Sequence, residues 1–212
     1  MKLNNKSLLL YAVTDRRWSN NDTFYKLIEE SLEGGVTFLQ LREKNLDTDS
    51  FFKEAIKIKE LCKKYNVPFI INDNVEIALK SNADGIHVGQ DDMGVKEVRK
   101  LIGKDKILGV SVQTVEQALL AQSQGANYLG VGSIFTTTSK DDAKSVSINT
   151  LKEICNAVNI PVVAIGGIDK DNVKQLSQTG ISGIAVISAI YANKNIKSAT
   201  MKLKELIKEI IK

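Results

Sequence analysis

The sequence predicts an α/β protein, a single-domain (β/α)8 or TIM barrel that spans residues 1–212. Short β-branched runs alternate with segments of helical periodicity along the whole chain. Eight such runs occur, which leaves about 26 residues for each unit, enough for a βαβ crossover. No Pro- or Ser-rich linker divides the chain. A doubly wound sheet also alternates, but a nucleotide-binding one carries a glycine fingerprint after its first strand, where this chain reads AVTDRR.

The eight predicted strands are the apolar runs themselves. They are Leu8–Val13, Phe38–Leu41, Phe69–Ile71, Ile86–Val88, Ile107–Val110, Tyr128–Val131, Val162–Ile165 and Ile184–Ile187. Helical periodicity is clearest over Phe51–Tyr65, Val75–Lys80 and Val115–Gln124. Near the end of the chain, apolar residues at i, i+3, i+4 and i+7 from Leu203 predict a helix docked on the core rather than on a membrane surface.

Composition is typical of an ordinary soluble globular protein. The chain is 43% hydrophobic and 25% charged, and its 29 basic residues are mixed with 25 acidic ones, which does not indicate a nucleic-acid surface. Cys62 and Cys155 lie far apart in helical patterns and are interpreted as small core residues. Neither a signal peptide nor a membrane span is indicated, so a cytoplasmic location is expected.

Carboxylates follow two consecutive predicted strands. Asn72 and Asp73 come directly after one run, and Asp91 and Asp92 follow the next. The carboxyl ends of barrel strands meet at one mouth, so Asp73 and Asp92 are expected to face one another there. Such a pair without neighbouring His or Cys suits Mg2+. The plainer interpretation is that Asp73 caps the next helix and that the other two acids belong to a solvated turn.

Cations follow the second predicted strand, in the stretch QLREKN. Because side chains alternate, Gln40 and Arg42 share a face, and Lys44 continues that direction. An Arg beside a buried strand is costly unless an anion compensates its charge. Arg42 and Lys44 are therefore predicted to hold a diphosphate that shares the metal, although a merely exposed strand end is the simpler alternative.

A second phosphate site is predicted after the last two strands. Gly166 and Gly167 follow the seventh run, and Ile187 and Ser188 end the eighth, where barrel enzymes often bind a phosphate. The polar segment 133–145 is long for a βα loop and is predicted to be a lid, with solvent-facing chain as the alternative. The one histidine, His87, is either a site-lining or a core residue, and no Ser–His–Asp or Cys–His set is evident.

These motifs together resemble the thiamine phosphate synthase family. The stretches YAVTD, QLREKN, INDNVEIAL, ADGIHVGQDD, GANYLGVGSIF, PVVAIGGI and GIAVISAI occur in the family's order and cover nearly the whole chain. The resemblance implies a transferase of thiamine biosynthesis. It would condense 4-amino-5-hydroxymethyl-2-methylpyrimidine diphosphate with a thiazole phosphate, releasing diphosphate and forming thiamine phosphate.

The resemblance also implies roles for individual residues. Asp73 and Asp92 would bind Mg2+, and Lys140, Arg42 and Ser111 would be the catalytic residues. The residues implied to bind substrate are Gln40, Leu41, Arg42, Glu43, Lys44, Asn72, Ser111, Thr137, Thr138, Ser139, Lys140, Gly167, Ile187 and Ser188. The family's loop commonly reads Pro-Thr-Glu-Thr-Lys, whereas this chain has TTTSK, so the role of Thr138 and the shape of the loop depart from the pattern.

Two other functions stay open from the sequence. A thiazole tautomerase on the same barrel would need a proton-transfer residue but no metal–diphosphate site, and a non-catalytic regulator would keep only the phosphate binding. The expected partners are the two small-molecule substrates, without nucleic acid or membrane. A homo-oligomer is compatible with the sequence, which does not fix the oligomeric state.

Overall fold

The computed structural model describes residues 3, 5–19, 23–137 and 145–211. Within these ranges eight parallel strands close into a barrel, each bonded to the next in chain order and the last to the first. The strands are β1 (Leu10–Val13), β2 (Phe38–Leu41), β3 (Phe69–Asn72), β4 (Gly85–Val88), β5 (Ile107–Val112), β6 (Tyr128–Val131), β7 (Val162–Ile165) and β8 (Gly183–Val186). The predicted (β/α)8 barrel is confirmed.

Helices surround the barrel and join successive strands. In the described ranges they are α1 (Phe24–Glu33), α2 (Thr48–Lys64), α3 (Val75–Lys80), α4 (Val95–Ile102), α5 (Val115–Ser123), α6 (Ile148–Ala157), α7 (Ser188–Tyr191) and α8 (Ile196–Ile210). Short 3-10 segments occupy Asn5–Leu8, Arg16–Trp18 and Val173–Leu176. Only the last of these lies between β7 and β8, so that connection has no α-helix in the described chain.

Side chains at the starts of several helices explain where those helices begin. Asp47, Asn74, Thr114, Ser147 and Asn195 each accept a hydrogen bond from a backbone N–H of the first turn. Such N-caps satisfy donors that have no partner inside the helix, and each is typically worth about 1 kcal/mol. The helix starts are therefore fixed locally, by short polar residues that follow the mouth ends of the strands.

The strands separate two hydrophobic layers. Residues that point outwards, such as Leu39, Ile71 and Ile86, form one large core with the helices. The alternate residues point into the barrel and form a smaller cluster, which contains Tyr11, Phe38, Ile70, Ile107, Tyr128, Val163 and Ala185. Because both faces of each strand are buried, the strands are apolar runs rather than alternating ones.

Some predicted strand ends are corrected by the pairing. Leu8 lies in a 3-10 turn, and β1 begins at Leu10, which is paired with Ile184. At the other end, β8 stops at Val186, which is paired with Ala12, and Ile187 has non-strand dihedral angles directly before α7. Leu8 and Ile187 still pack on the interior cluster, because apolar side chains there need burial and not strand pairing.

The C-terminal helix is docked, as predicted from its apolar pattern. Leu203, Leu206 and Ile207 of α8 are buried, and the helix packs against α1.

Cys62 is buried and Cys155 is partly buried, and both are free thiols. Among the described residues, no helix has the length and apolar character needed to cross a membrane.

Gly85 provides a test of the close packing between β4 and β5. A Cβ atom at this position would lie 2.1 Å from the carbonyl oxygen of Ile107. We expect Gly85→Ala to lower the free energy of unfolding by about 1–3 kcal/mol, because the backbone of β5 has to move. The matched control is Gly94→Ala, where no atom lies within 4 Å of the added carbon.

Denaturant unfolding of both variants measures this difference. The control is expected to stay within about 1 kcal/mol of the parent protein, since a modest loss of N-cap preference is offset by lower unfolded-state entropy. Equal effects of the two substitutions would contradict the tight strand contact.

Candidate active site

The predicted metal and diphosphate residues meet at the carboxyl ends of β2 to β5. Gln40 lies near the end of β2, Asn72 ends β3, and Ser111 is the penultimate residue of β5. Arg42 and Asp73 each follow their strand directly, and Asp92 lies in the loop after β4. The structure therefore brings together side chains from four consecutive strands that are separated by 71 positions in the chain at most.

Asp73 has an unusual backbone conformation for a residue with a side chain. Its φ of 60° lies in the left-handed region, which costs on the order of 1 kcal/mol outside glycine. The interpretation of Asp73 as the cap of α3 is wrong, because Asn74 is the residue that accepts from the helix. The carboxylate of Asp73 instead accepts bonds from the Asn72 side chain and, at 2.8 Å, from Lys44 Nζ.

Asp92 completes a carboxylate pair with Asp73. Its Oδ2 accepts a hydrogen bond from the backbone N–H of Gly89 at 2.7 Å. Partial burial raises the pKa of the Asp92 carboxyl, and the neighbouring carboxyl of Asp73, within hydrogen-bonding reach, raises this pKa further. A cation placed between the two carboxylates would relieve their repulsion. Lys44 supplies one such charge to Asp73 but is itself 53% exposed.

Arg42, which follows β2 at the same mouth, has a buried donor without a hydrogen-bond partner. Its backbone N–H donates to Thr14 Oγ1 at 3.0 Å, which ties the end of β2 to the end of β1. Among the described residues, Arg42 Nε is the buried side-chain nitrogen or oxygen that has no hydrogen-bond partner. A buried donor without a partner costs about 1–3 kcal/mol, and a hydrogen bond to an anion would remove that cost.

Two predicted substrate-binding residues direct their side chains elsewhere. Leu41 is fully buried in the outer core, so only its backbone can face the mouth. The side chain of Glu43 is 3% exposed and accepts from Arg16 Nε at 2.8 Å. Burial raises the pKa of Glu43, and the charge of Arg16 opposes that shift. Arg16 also contacts Glu54 of α2, which in turn accepts from Tyr25 Oη.

A chain of hydrogen bonds crosses the barrel below the mouth. The Gln40 side-chain amide donates to Tyr11 Oη, which lies 2.9 Å from Tyr128 Oη. Tyr128 Oη lies 2.9 Å from His87 Nδ1, and His87 Nε2 lies 2.9 Å from Ser111 Oγ. His87 is only 9% exposed, and its two ring nitrogens connect the apolar interior to the mouth.

The loops after β6 and β7 are bonded to one another on the other side of the mouth. Phe135 N–H donates to the carbonyl of Gly166, and Asn172 donates from its side chain to the carbonyl of Gly167. Gly167 has a φ of 62°, and a Cβ there would lie 2.5 Å from the carbonyl oxygen of Thr136. The glycine therefore allows the two loops to approach closely.

Some of the other residues predicted for this side lie outside the part of the chain that the structure describes. Ile187 and Ser188 lie at the junction of β8 and α7, and both are partly buried. Thr137, the last described residue before position 145 in the loop after β6, is also partly buried. Thr138, Ser139 and Lys140 lie outside the described residues.

Comparison with known proteins decides the family. Residues 10–190 match the thiamine monophosphate synthase family. The chain belongs to this family. A thiamine-phosphate synthase of Clostridium tetani is 55% identical over 203 residues, covering 95% of this chain and 97% of the relative. One of Methanobrevibacter smithii is 51% identical, covering 95% of this chain and 96% of the relative.

A solved structure of the same family has the same fold. The thiamine phosphate pyrophosphorylase from Pyrococcus furiosus superposes with a TM-score of 0.91 at 38% identity, covering 98% of this chain and 99% of that one. The resemblance of the motifs to thiamine phosphate synthases is thereby confirmed. As a member of the thiamine monophosphate synthase family, the chain is a transferase of thiamine biosynthesis.

Several residues at this thiamine monophosphate synthase site were missed from the sequence. Tyr11 and Tyr128 lie within apolar runs, so the run pattern predicts only that they are strand residues. Strict alternation would have placed both on the inner face, since Tyr11 is two positions from Val13 and Tyr128 two from Gly130. The contact of Arg16 with Glu43 carries no comparable signal, because it depends on how two neighbouring loops turn.

Arg42 should be more important for anion binding than for stability. We expect Arg42→Met to leave the free energy of unfolding unchanged or to raise it by about 1–2 kcal/mol, because an unpartnered buried donor is removed. Binding of inorganic diphosphate in the presence of Mg2+ should weaken at least about tenfold, since a charge-assisted contact is lost. Denaturant unfolding and titration calorimetry measure the two effects.

Arg99→Met is the matched control. Arg99 donates to the carbonyls of Gly103, Lys106 and Gly125 and to the Asn127 side chain. Its loss should destabilise the fold by more than about 1 kcal/mol and leave diphosphate binding unchanged. An Arg42 variant that behaves like the Arg99 variant would show that Arg42 is a structural cation.

Proposed function

We propose that this chain condenses 4-amino-5-hydroxymethyl-2-methylpyrimidine diphosphate with a thiazole phosphate to form thiamine phosphate and diphosphate. The observation that carries the proposal is that the carboxylate pair of Asp73 and Asp92 and the unpartnered buried Nε of Arg42 lie at the same mouth of the barrel. A cation and a polyanion together satisfy both features. Membership of the thiamine monophosphate synthase family supports the same reaction, and we propose that residues 1–212 act as one catalytic domain.

The residues at the mouth fit Mg2+ as the metal. The described chain contains no cluster of three or more His, Cys, Asp or Glu side chains that could hold a metal. Two carboxylates are too few for zinc but suit an ion that keeps several waters and shares phosphate oxygens. Asp73 and Asp92 would hold it. When bound, Mg2+ would neutralise negative charge on the diphosphate oxygens.

The pyrimidine diphosphate is assigned to the β2 to β5 side of the mouth. Arg42 and Lys44 would bind its diphosphate, with Lys140 as a further cation from the loop after β6. Gln40, Asn72 and Ser111 would contact the pyrimidine diphosphate by hydrogen bonds, while Leu41 and Glu43 would offer only backbone groups. The side chain of Glu43 is already bonded to Arg16, which supports this limit.

The thiazole phosphate is assigned to the opposite side. Gly167 and the junction of Ile187 and Ser188 would bind its phosphate, together with Thr137, Thr138 and Ser139. The close contact between the β6 and β7 loops supports a compact pocket there. In this arrangement the diphosphate and the thiazole phosphate bind at the ends of different strands, on opposite sides of one mouth.

The chemistry needs stabilisation of a leaving group rather than a general base. As diphosphate departs from the pyrimidine methylene carbon, charge grows on its oxygens, and Arg42, Lys44 and Lys140 would stabilise that charge. The amino-substituted pyrimidine ring delocalises the cation that forms. The thiazole nitrogen then bonds to this carbon without prior loss of a proton, because its lone pair is free. The phosphate of the thiazole substrate holds the ring in position.

Two alternatives and two further properties belong with this proposal. A thiazole tautomerase would not require the Asp73–Asp92 pair, and a regulator would not require release of diphosphate.

We propose a cytoplasmic location, in keeping with the two free cysteines and the phosphorylated substrates. The partners would be the two substrates, and a homo-oligomer is compatible with the structure of the single chain.

The direct test is to mix the purified protein with both substrates and Mg2+ and to measure thiamine phosphate. We expect product only when all three components are present. Asp73→Asn and Asp92→Asn should each lower turnover at limiting Mg2+ by about tenfold to a hundredfold, because an amide is a weaker ligand than a carboxylate. Titration of activity with Mg2+ measures the change.

Asp91→Asn is the control for the metal site, since Asp91 is an exposed carboxylate beside Asp92. It should leave the Mg2+ dependence unchanged. Parent-like activity of both metal-site variants at limiting Mg2+ would refute their assignment. Isomerisation of the thiazole phosphate without formation of thiamine phosphate would favour the tautomerase.

Gly167 tests whether the two phosphate groups bind separately. We expect Gly167→Ala to raise the KM for the thiazole phosphate about tenfold while changing the KM for the pyrimidine diphosphate little, because the added carbon would displace the β6 loop at Thr136. Gly180→Ala is the control, since Gly180 also has a positive φ of 87° but precedes β8 at the far end of the barrel. A selective effect on the pyrimidine side would reverse the assignment.

A further inference from the structure

The orientation of the Gln40 amide sets the direction of the hydrogen-bond chain that runs from Gln40 to Ser111. At one end stands the Gln40 amide nitrogen, which donates to Tyr11 Oη and cannot accept. The Tyr11 hydroxyl hydrogen must therefore go to its other partner, Tyr128 Oη. Tyr128 then directs its own hydrogen to His87 Nδ1. Each buried hydroxyl in this order both accepts and donates one hydrogen bond.

The same order fixes the protonation of the imidazole. If His87 Nδ1 accepts from Tyr128, the ring hydrogen lies on Nε2, which donates to Ser111 Oγ. Ser111 then receives a hydrogen bond from inside the barrel and keeps its own hydroxyl hydrogen for a group at the mouth. Gln90 reinforces this position by donating to the Ser111 carbonyl at 2.7 Å.

We propose that Tyr11, Tyr128 and His87 are positioning residues that hold His87 as the Nε2–H tautomer and so make Ser111 a hydrogen-bond donor to the pyrimidine substrate. The inference rests on the proposed function for the contact of Ser111 with that substrate. It concerns the direction of the hydrogen bonds between Gln40 and Ser111. In this arrangement His87 accepts no proton during the reaction.

Glycines leave the space that the chain needs. A Cβ atom on Gly109 would lie 2.1 Å from Tyr128 Cζ and 2.5 Å from His87 Nδ1. A Cβ on Gly130 would lie 3.2 Å from His87 Cε1. Glycine at these inward positions of β5 and β6 therefore permits the imidazole and the phenol to meet. The phenol of Tyr128 is further fixed by edge contacts with Tyr11 and Phe38.

The tyrosines keep their hydrogens in this environment. Burial raises the pKa of the Tyr128 hydroxyl well above its ordinary value, and the neighbouring Tyr11 raises this pKa further. Burial likewise raises the pKa of Tyr11. Both phenols therefore keep their hydrogens near neutral pH.

The opposite direction is a distinct arrangement with a distinct consequence. If the Gln40 amide were turned over, its oxygen would accept from Tyr11, and every hydrogen in the chain would reverse. His87 would then carry its hydrogen on Nδ1, and Ser111 would donate to Nε2 and present only lone pairs to the substrate. The tautomer of His87 therefore distinguishes the two directions.

The chain has one histidine, so its tautomer can be read without assignment. The protein is labelled with 15N-histidine, and a long-range 1H–15N spectrum is recorded on the full chain without ligand at neutral pH. We expect one dominant tautomer with the hydrogen on Nε2. A dominant Nδ1–H form, or a rapidly exchanging mixture of the two, would overturn the proposal.

Tyr128→Phe tests the donor that sets the tautomer. The substitution removes the hydrogen bond to His87 Nδ1 and should raise the population of the Nδ1–H tautomer relative to the parent protein. The kcat/KM for the pyrimidine diphosphate should fall about fivefold to tenfold, the effect of one hydrogen bond. The KM for the thiazole phosphate should not change. Tyr191→Phe, which removes another buried hydroxyl that pairs with Ser31, should alter neither the tautomer nor kcat/KM.

Failure of this inference and failure of the proposed function have different signatures. Thiamine phosphate formation by a protein whose His87 is not Nε2–H would overturn the inference alone. An Nε2–H tautomer in a protein that forms no thiamine phosphate would contradict the proposed function while leaving the direction of the chain supported. The spectrum of the unaltered protein decides the direction even if Tyr128→Phe does not fold.

Discussion

Short strands are the constraint on which this structure depends. Seven of the eight described strands have four residues and β5 has six, so each strand offers only two or three side chains to the barrel interior. On β2, β3 and β5 the first inward residue is Phe38, Ile70 or Ile107, which fills the core. The later one is Gln40, Asn72 or Ser111, which reaches the mouth. Core residues and site residues thus occupy successive inward-pointing positions on the same strands. A change in strand register would therefore disturb both.

Charge at the mouth is balanced locally where it is structural and left unbalanced where a ligand is expected. Arg16 is compensated by Glu43 and Glu54, and Asp15 accepts from Arg17. Burial opposes ionisation of Asp15, but the hydrogen bonds from Arg17 outweigh it and lower the pKa. The charge of Arg42 acts on Asp15 and Glu43, but its Nε has no hydrogen-bond partner. Asp92 has a raised pKa beside Asp73. Unsatisfied groups of opposite sign within one mouth are what a metal-bound polyanion would satisfy.

Sequence patterns predicted the strands and the acidic pair because both are local. A buried parallel strand is a β-branched run, and a residue that follows such a run lies at the mouth wherever the run begins. Ile187 was misplaced because the end of β8 is set by pairing with β1, which no local pattern reports. Glu43 lies beside Arg42 in the sequence, yet its side chain turns to Arg16. Side-chain partners across neighbouring loops depend on backbone turns that composition does not specify.

The interior tyrosines connect the apolar interior of the barrel to its mouth. Tyr11 and Tyr128 pack with Phe38 as core residues, yet each needs a partner for its hydroxyl because an unsatisfied buried polar group is costly. They satisfy one another and then Gln40 and His87, so a requirement of packing becomes a line of hydrogen bonds that ends at Ser111. Replacing these phenols by phenylalanine would keep most of the apolar contact but remove the direction of that line. The interior therefore determines which way a hydroxyl points at the mouth, through bonds that a purely apolar core could not supply.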